Sequence, residues 1–347
     1  MTPLPATVDF HAALAQAQAG QALDADATRH LFDAIFTGQL NESDIIGYLS
    51  ASAERKPTVA ELVGAVTAMR GHMQPITAPP AAIDLCGTGG DGLGTLNIST
   101  AVSVVVAALG VAVAKHGNRS ASSRSGAADV LEALGVNIAL TPQAAAQVLR
   151  ATGLVFLFAQ TYHPAMRHVA AARKQIGQRT IFNLLGPLAS PARVTRQLVG
   201  VFSSDWLEPY AQALKALGSD RAIIVHGRDG LDEVSISTVT DMAVLENGVI
   251  TRRELCPEDA CLPRHNLADI KGGDAAHNAQ ALTRLLAGEP GAYRDIVLLN
   301  AATALLVAGM TDDIKSGVAM AAKALDSGAA KAKLDALITA SNDRPIA

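Results

Sequence analysis

From residue 82 onward, short apolar runs alternate with helix-length segments. That alternation limits the possible folds more than any other feature of the chain. Ala82 to Cys86, Val111 to Ala114, Val136 to Leu140, Val155 to Phe158, Arg196 to Phe202 and Arg221 to Val225 read as strands. Ser99 to Leu109 and Ser125 to Leu134 read as helices, the second stopping at Gly135, and Pro142 opens another. Apolar strands separated by helices predict a parallel sheet covered on both faces. Residues 240 to 256 read as a β segment turning at Asn247-Gly248, and the chain from Ala275 onward is helical and alanine-rich. Aromatics are only 3% of 347 residues while hydrophobics are 49%, so Ala, Val, Leu and Ile must build the core. No internal repeat is visible.

Residues 7 to 72 read as helices instead. Leu31, Phe32, Ile35 and Phe36 have helical spacing, Asn41-Glu-Ser-Asp reads as a helix start, and Thr58 as the cap of a helix running through Met69. Residues 73 to 81 hold three prolines and suit a hinge. The expected organisation is a helical domain over 1–72, a hinge over 73–81, and an α/β domain over 82–347.

Between Asp84 and Ala128 two polar loops bracket one apolar helix. The first reads Asp84-Leu-Cys-Gly-Thr-Gly-Gly-Asp-Gly and continues Thr95-Leu-Asn-Ile-Ser-Thr; the second reads Lys115-His-Gly-Asn-Arg-Ser-Ala-Ser-Ser-Arg-Ser-Gly. Glycines let backbone N–H groups approach an anion, and Lys115, Arg119 and Arg124 add full charges. The pattern points to bound phosphate. Gly87-x-Gly89-x-x-Gly92 also satisfies the dinucleotide fingerprint, but the helix opens near Asn97 to Ser99 and not at the third glycine. The next strand runs into Lys115-His116, with no acidic residue for a ribose hydroxyl. No Lys-Ser/Thr follows the glycines, which excludes a Walker A loop.

At these residues the chain resembles the anthranilate phosphoribosyltransferase family. Gly87-Thr-Gly-Gly-Asp-Gly, Asn97-Ile-Ser-Thr and Lys115-His-Gly-Asn-Arg carry the resemblance. It continues through Tyr162-His-Pro-Ala-Met-Arg, Arg179-Thr-Ile-Phe-Asn-Leu-Leu-Gly-Pro-Leu, His226-Gly-Arg-Asp-Gly-Leu-Asp-Glu-Val-Ser and Gly272-Gly-Asp. It spans nearly the whole chain in order. The fold it implies is a small N-terminal helical domain plus a large α/β domain with a central, mostly parallel sheet, as in nucleoside-phosphorylase-like proteins. It also implies that residues near 163 to 185 return to the helical domain. The implied reaction moves the phosphoribosyl group of phosphoribosyl pyrophosphate to the amine of anthranilate, releasing pyrophosphate, in tryptophan biosynthesis.

The resemblance assigns roles residue by residue. Gly87, Gly90, Asp91, Thr95, Asn97, Ile98, Ser99 and Thr100 would surround the phosphoribosyl group. Lys115, His116, Gly117, Asn118, Arg119, Ser120, Ala121, Ser122, Ser123 and Ala127 would complete the cradle. At Ala127 the family often has serine, so one hydroxyl contact is lost. Ser-Ile-Ser-Thr-Val-Thr after Glu233 also departs from the more usual Ser-Leu-x-Gly-Pro-Thr. Gly87, Asn118 and Arg173 would meet anthranilate, with the planar guanidinium of Arg173 on its carboxylate. By itself Arg173 reads as a solvated arginine on a helix.

Departing pyrophosphate calls for a divalent metal. Adjacent carboxylates at Asp232-Glu233 offer hard oxygens to Mg²⁺, and Ser99 resembles the hydroxyl at a second ion, so about two ions per monomer are implied. Without the resemblance the pair reads as a solvated acidic turn, and Ser99 as a helix cap. No residue is assigned as catalytic acid or base. His116 is the candidate general base, although an aniline-type amine needs little deprotonation before attack. His163, ahead of Pro164, reads as structural or pocket-lining. Cys256-x₄-Cys261-x₃-His265 lacks a fourth ligand for structural zinc.

Two rivals remain. A pyrimidine nucleoside phosphorylase shares the fold, but the Gly87 to Asp91 loop and Asp232-Glu233 speak against it. A non-catalytic nucleic-acid-binding relative should be basic, whereas this chain carries a net charge of −4. Three cysteines argue against a disulfide framework and for the cytoplasm. No secretory signal is visible, and Ile98 to Ala114 reads as a buried helix and strand, not a membrane span. Short amphipathic helices before residue 72, together with the resemblance, imply a homodimer.

Overall fold

A computed structural model describes residues 10–120 and 124–343. Four helices open the chain: α1 (Phe10–Gln18), α2 (Ala25–Phe36), α3 (Glu42–Arg55) and α4 (Val59–Gly71). Asp24, Asn41 and Thr58 each accept a backbone N–H from the first turn of the helix that follows, satisfying donors that a helix start leaves open. Thr58 and Glu61 form a reciprocal capping box. The Glu61 side chain is fully buried and meets the Arg55 guanidinium at 2.5 Å. Burial pushes its carboxyl up, but Arg55 and the backbone N–H groups of Thr58 and Leu23 hold it below the usual range.

The alternating part follows as β1 (Ile83–Leu85), α5 (Ile98–Ala108), β2 (Val113–Gly117), α6 (Ala127–Ala133), α7 (Pro142–Thr152), β3 (Leu154–Phe158) and α8 (Ala159–Tyr162). Two helices, α9 (Arg167–Ile176) and α10 (Phe182–Leu188), interrupt it. It resumes with β4 (Arg196–Gly200), α11 (Leu207–Ala216), β5 (Arg221–Gly227), β6 (Thr240–Glu246) and β7 (Val249–Leu255). The chain closes with α12 (Ala275–Leu286), α13 (Ala292–Ala308), α14 (Ile314–Asp326) and α15 (Ala329–Asn342).

Two compact units result. The first joins residues up to Gln74 with His163–Ala189; the second joins Pro75–Tyr162 with the chain from Ser190 onward. The first unit is helical and centred on aromatics. The Phe32 ring packs against Tyr48 at 5.7 Å and against Phe182 of α10 at 5.5 Å. Arg70 of α4 donates twice to the Leu188 carbonyl.

Among the described residues the second unit contains one sheet, ordered β3-β2-β1-β4-β5-β6-β7. The pairs from β3 to β5 are parallel, and β5-β6-β7 are antiparallel. The β6–β7 hairpin turns at Asn247-Gly248, both with positive φ. The fold is therefore the expected helical unit plus a large α/β unit with a mostly parallel sheet. From β1 the chain winds first toward β2 and β3, and later through β4 toward β5. Strand order reverses there, which opens a crevice at the carboxyl ends of β1 and β4.

Ile98 to Ala107 of α5 are buried almost throughout, as expected for a core helix. Among the described residues no helix is long and apolar enough to cross a membrane. One expected strand is not one. Val136 to Leu140 has no sheet partner: Asn137 N–H donates to Ser341 Oγ and Ala139 N–H to Asn137 Oδ1. Val136, Ile138 and Leu140 still point inward, so the alternation reflects burial without pairing.

Candidate active site

The site is built where β1 and β4 end. After β1 the chain enters the glycine loop. Gly89 and Gly90 follow each other at φ 65° and 84°, a path that side chains with a Cβ rarely take. The Gly89 N–H donates to Asp232 Oδ2 at 2.8 Å, joining the first loop to the acidic turn 143 residues later. Leu93 N–H donates to Asp91 Oδ1 at 3.1 Å, so Asp91 shapes its own turn. Asp91 also lies close enough to Asp232 for its charge to raise that carboxyl.

Asp232 and Glu233 follow β5. Burial, the Asp91 charge and the Glu233 charge push the Asp232 carboxyl well above its ordinary range. Burial raises Glu233 to about 7, although Lys115 and the Ser99 donors pull it down. Glu233 Oε1 accepts the Ser99 N–H at 3.2 Å, at the start of α5. Lys115 is 3% exposed; its Nζ donates to the Leu85 carbonyl at 2.5 Å and to Ser99 Oγ at 3.1 Å. Asp84, fully buried beside it, is lifted to about 7 by desolvation, against the pull of Lys115.

Asp91, Asp232, Glu233, Ser99 and Lys115 thus come together from four separate segments. The charges of Asp91 and Glu233 raise the Asp232 carboxyl, while Lys115 offsets only part of the burial at Glu233 and Asp84. Such an excess of desolvated negative charge fits a divalent ion. Among the described residues no three acidic, His or Cys side chains converge as a full ligand set. Magnesium suits that arrangement, because it keeps waters and takes phosphate oxygens alongside one or two carboxylates.

Lys115 and His116 alternate along β2, so their side chains leave opposite faces of the sheet. His116 is 3% exposed, and its backbone N–H donates to Asp84 Oδ1 at 2.9 Å. The geometry gives it no part in the acid–ammonium cluster. Arg119 lies over the Phe158 ring and is engaged by carboxylates, at 2.8 Å from Asp129 Oδ1 and 2.5 Å from Glu132 Oε2. Asp129 also accepts the N–H groups of Ser120 and Gly126. Asn118 Oδ1 accepts the Arg119 N–H, and Gly117 packs closely on Phe156. Ala127 begins α6. Ala121, Ser122 and Ser123 lie outside the described residues.

Thr100 Oγ1 is buried with no hydrogen-bond partner among the described residues. Ile98 is buried in the core, and Thr95 forms a β-bridge with Lys271. Cys86, Cys256 and Cys261 are free thiols, and His265 pairs with Asp295, not with a metal set. In the first unit, Arg173 of α9 stacks over Phe182 at 5.5 Å. Burial alone lowers its pKa, and no carboxylate among the described residues pairs with it. A desolvated guanidinium without an anion suits an anionic ligand.

Several participants carry no local signature. A Cβ at Gly200, the last residue of β4, would lie 1.5 Å from the Asp232 carbonyl oxygen, so only glycine lets the acidic turn approach. Asn300 of α13 is fully buried and clamps Val234, accepting its N–H at 2.9 Å and donating to its carbonyl at 2.8 Å. Asp229 Oδ2 gathers the hydroxyls of Ser235 and Ser237. Those serines lie in the segment that departs from the family pattern, and here they brace the turn.

Residues 79–331 match the model described as glycosyl transferase family, a/b domain, and residues 11–73 the model described as glycosyl transferase family, helical bundle domain. An anthranilate phosphoribosyltransferase of Rhodopseudomonas palustris (strain TIE-1) is 52% identical over 334 residues, covering 96% of this chain and 99% of its own length. The crystal structure of anthranilate phosphoribosyltransferase from Thermus thermophilus superposes with a TM-score of 0.90 at 40% identity, over 95% of this chain and 99% of that one. Anthranilate phosphoribosyltransferase from Saccharomyces cerevisiae, in complex with PRPP and Mg, gives 0.88 at 26% identity, over 96% and 97%.

Proposed function

The chain belongs to the anthranilate phosphoribosyltransferase family, and on that premise we propose that it transfers the phosphoribosyl group of phosphoribosyl pyrophosphate to the anthranilate amine. The products are N-(5-phosphoribosyl)anthranilate and pyrophosphate, a step of tryptophan biosynthesis. The observation that carries this reading is the Asp91, Asp232 and Glu233 cluster joined to the glycine loop, with the Lys115 ammonium bonded to Ser99 beside it.

Asp232 and Glu233 would hold Mg²⁺ with the Ser99 hydroxyl, about two ions per monomer. When bound, the metal supplies the positive charge that departing pyrophosphate requires. The backbone donors of the glycine loop, with Asn97, Ser99, Thr100 and Lys115, hold and orient the phosphoribosyl group. Thr100 Oγ1, otherwise unpartnered among the described residues, is a donor suited to a phosphate oxygen. The segment from Lys115 through Ser123, with Ala127, would complete that cradle. Arg119 would need to exchange at least one of its two carboxylates for phosphate to act as a binding cation. Arg173 would meet the anthranilate carboxylate, with Gly87 and Asn118 as further contacts.

No general base is needed. Aromatic amines are weakly basic, so the lone pair is available at neutral pH, and fixing its approach to the ribose carbon supplies most of the protein's share. A homodimer in the cytoplasm completes the reading, supported by three free thiols that suit a reducing compartment. Loss of anthranilate fluorescence on addition of phosphoribosyl pyrophosphate and Mg²⁺, and its persistence without the metal, is the expected result. Unchanged fluorescence in the complete mixture contradicts the reading.

A further inference from the structure

We propose that Asn278 is a positioning residue that fixes the polarity of the Asn97 carboxamide, turning its NH₂ end toward the ligand as a hydrogen-bond donor. The inference deepens the reading above and rests on the Asn97 loop holding phosphoribosyl pyrophosphate. A carboxamide is nearly symmetric in shape and opposite in polarity at its two ends, so its orientation must be inferred from fixed neighbours.

A backbone N–H supplies the fixed point here. Gly273 N–H can only donate, and it lies 2.7 Å from the Asn278 side chain, so the contacting atom is Oδ1. The other end of Asn278 is then Nδ2, which lies 2.8 Å from Asn97. A donor needs an acceptor, so Asn97 presents Oδ1 to it. The NH₂ of Asn97 is therefore turned the other way. Its described contact on that side is the Ser125 carbonyl at 3.5 Å, an acceptor, which agrees with the assignment. So long a bond engages at most one of the two hydrogens and leaves a donor for a phosphate or ribose oxygen.

The relay is rigidly built. Asn278 is 2% exposed on α12, whose N-terminus is capped by Asp274. Gly272 N–H donates to the Gly94 carbonyl and Leu96 N–H to the Ile270 carbonyl, which lashes this segment to the glycine loop. Tyr293 donates to the Asn97 carbonyl at 3.2 Å. The Gly272-Gly-Asp motif thereby acquires a purpose, since it delivers the N–H that sets the direction of the chain.

The test is calorimetric binding of phosphoribosyl pyrophosphate with Mg²⁺. Asn278→Asp keeps the shape and offers oxygen at both ends, so Asn97 must turn its NH₂ inward and its oxygen toward the ligand. The wild-type protein binds, and Asn278→Asp weakens binding tenfold or more while a stable fold is retained. In an Asn97→Ala background the same substitution changes affinity less than twofold, because the relay has lost its end. Wild-type affinity in Asn278→Asp, or an equal loss in both backgrounds, overturns the relay and leaves the functional reading standing. Absence of binding by the wild-type protein overturns both. If Asn278→Asp does not fold, the ¹⁵N side-chain resonance of Asn97 in the wild-type protein decides. It must shift on ligand addition, and an unmoved resonance overturns the proposal.

Discussion

Arg173 and His163 show how burial turns ordinary side chains into specific ones. A guanidinium stacked on Phe182, with no carboxylate partner among the described residues, is poised for an anion. Arg173→Ala is expected to weaken anthranilate binding by roughly 2–4 kcal/mol, as for loss of one buried charged partner. Affinity for phosphoribosyl pyrophosphate should barely move, and equal losses for the two substrates would place Arg173 elsewhere. His163 is 4% exposed, and burial holds it down from 6.5 to about 4. Above pH 6.5 it is neutral whether folded or unfolded. As pH falls from 6.5 to 4 only the unfolded chain takes up the proton, so stability drops by roughly 3 kcal/mol through that window. Asp84 and Glu233, both raised to about 7, act in the opposite direction, since their neutral forms suit the fold. The clean observable is therefore the difference in urea midpoints between the wild-type protein and His163→Gln across pH 4.5 to 7.5. Parallel curves would refute the assignment.

At the scale of elements, the apolar strand runs and the polar loops between them were legible because both are local. The β1, β2, β4 and β5 positions follow from short apolar segments, and the start of α5 at Ile98 lies where the loop composition changes. Val136 to Leu140 misled because alternating burial looks the same with or without a sheet partner. The supports of the acidic turn were illegible for a different reason. Gly200, Asn278 and Asn300 sit in segments that read only as strand or helix, and only the fold carries them to Asp232, Asn97 and Val234. Gly200→Ala tests that point directly. A Cβ placed 1.5 Å from a backbone oxygen forces β4 and the turn apart. A stability loss on the order of 1–3 kcal/mol is expected, with turnover falling more than stability accounts for. A variant that melts and turns over like the wild type would show that the turn has room to spare.

For the whole molecule, a helical segment followed by an α/β one was legible in the residues, but the return of a later segment to the helical part was expected only from the resemblance. No hydrophobic pattern announces that His163–Ala189 belongs with the first 74 residues. A homodimer is proposed, so light scattering at micromolar concentration should give twice the 35.7 kDa chain mass, and a monomer mass would count against it. The central claim is that Asp232 and Glu233 bind the metal that carries the reaction. An Asp232→Asn, Glu233→Gln double variant, assayed across a magnesium titration, tests it most directly. The substitutions relieve repulsion with Asp91, so thermal stability should hold or rise. Turnover should fall by roughly 10²-fold or more, comparable to removing one strong transition-state contact, and magnesium dependence should weaken or shift to higher concentration. Wild-type turnover with an unchanged magnesium curve would contradict the account and leave the pair as a turn without a metal.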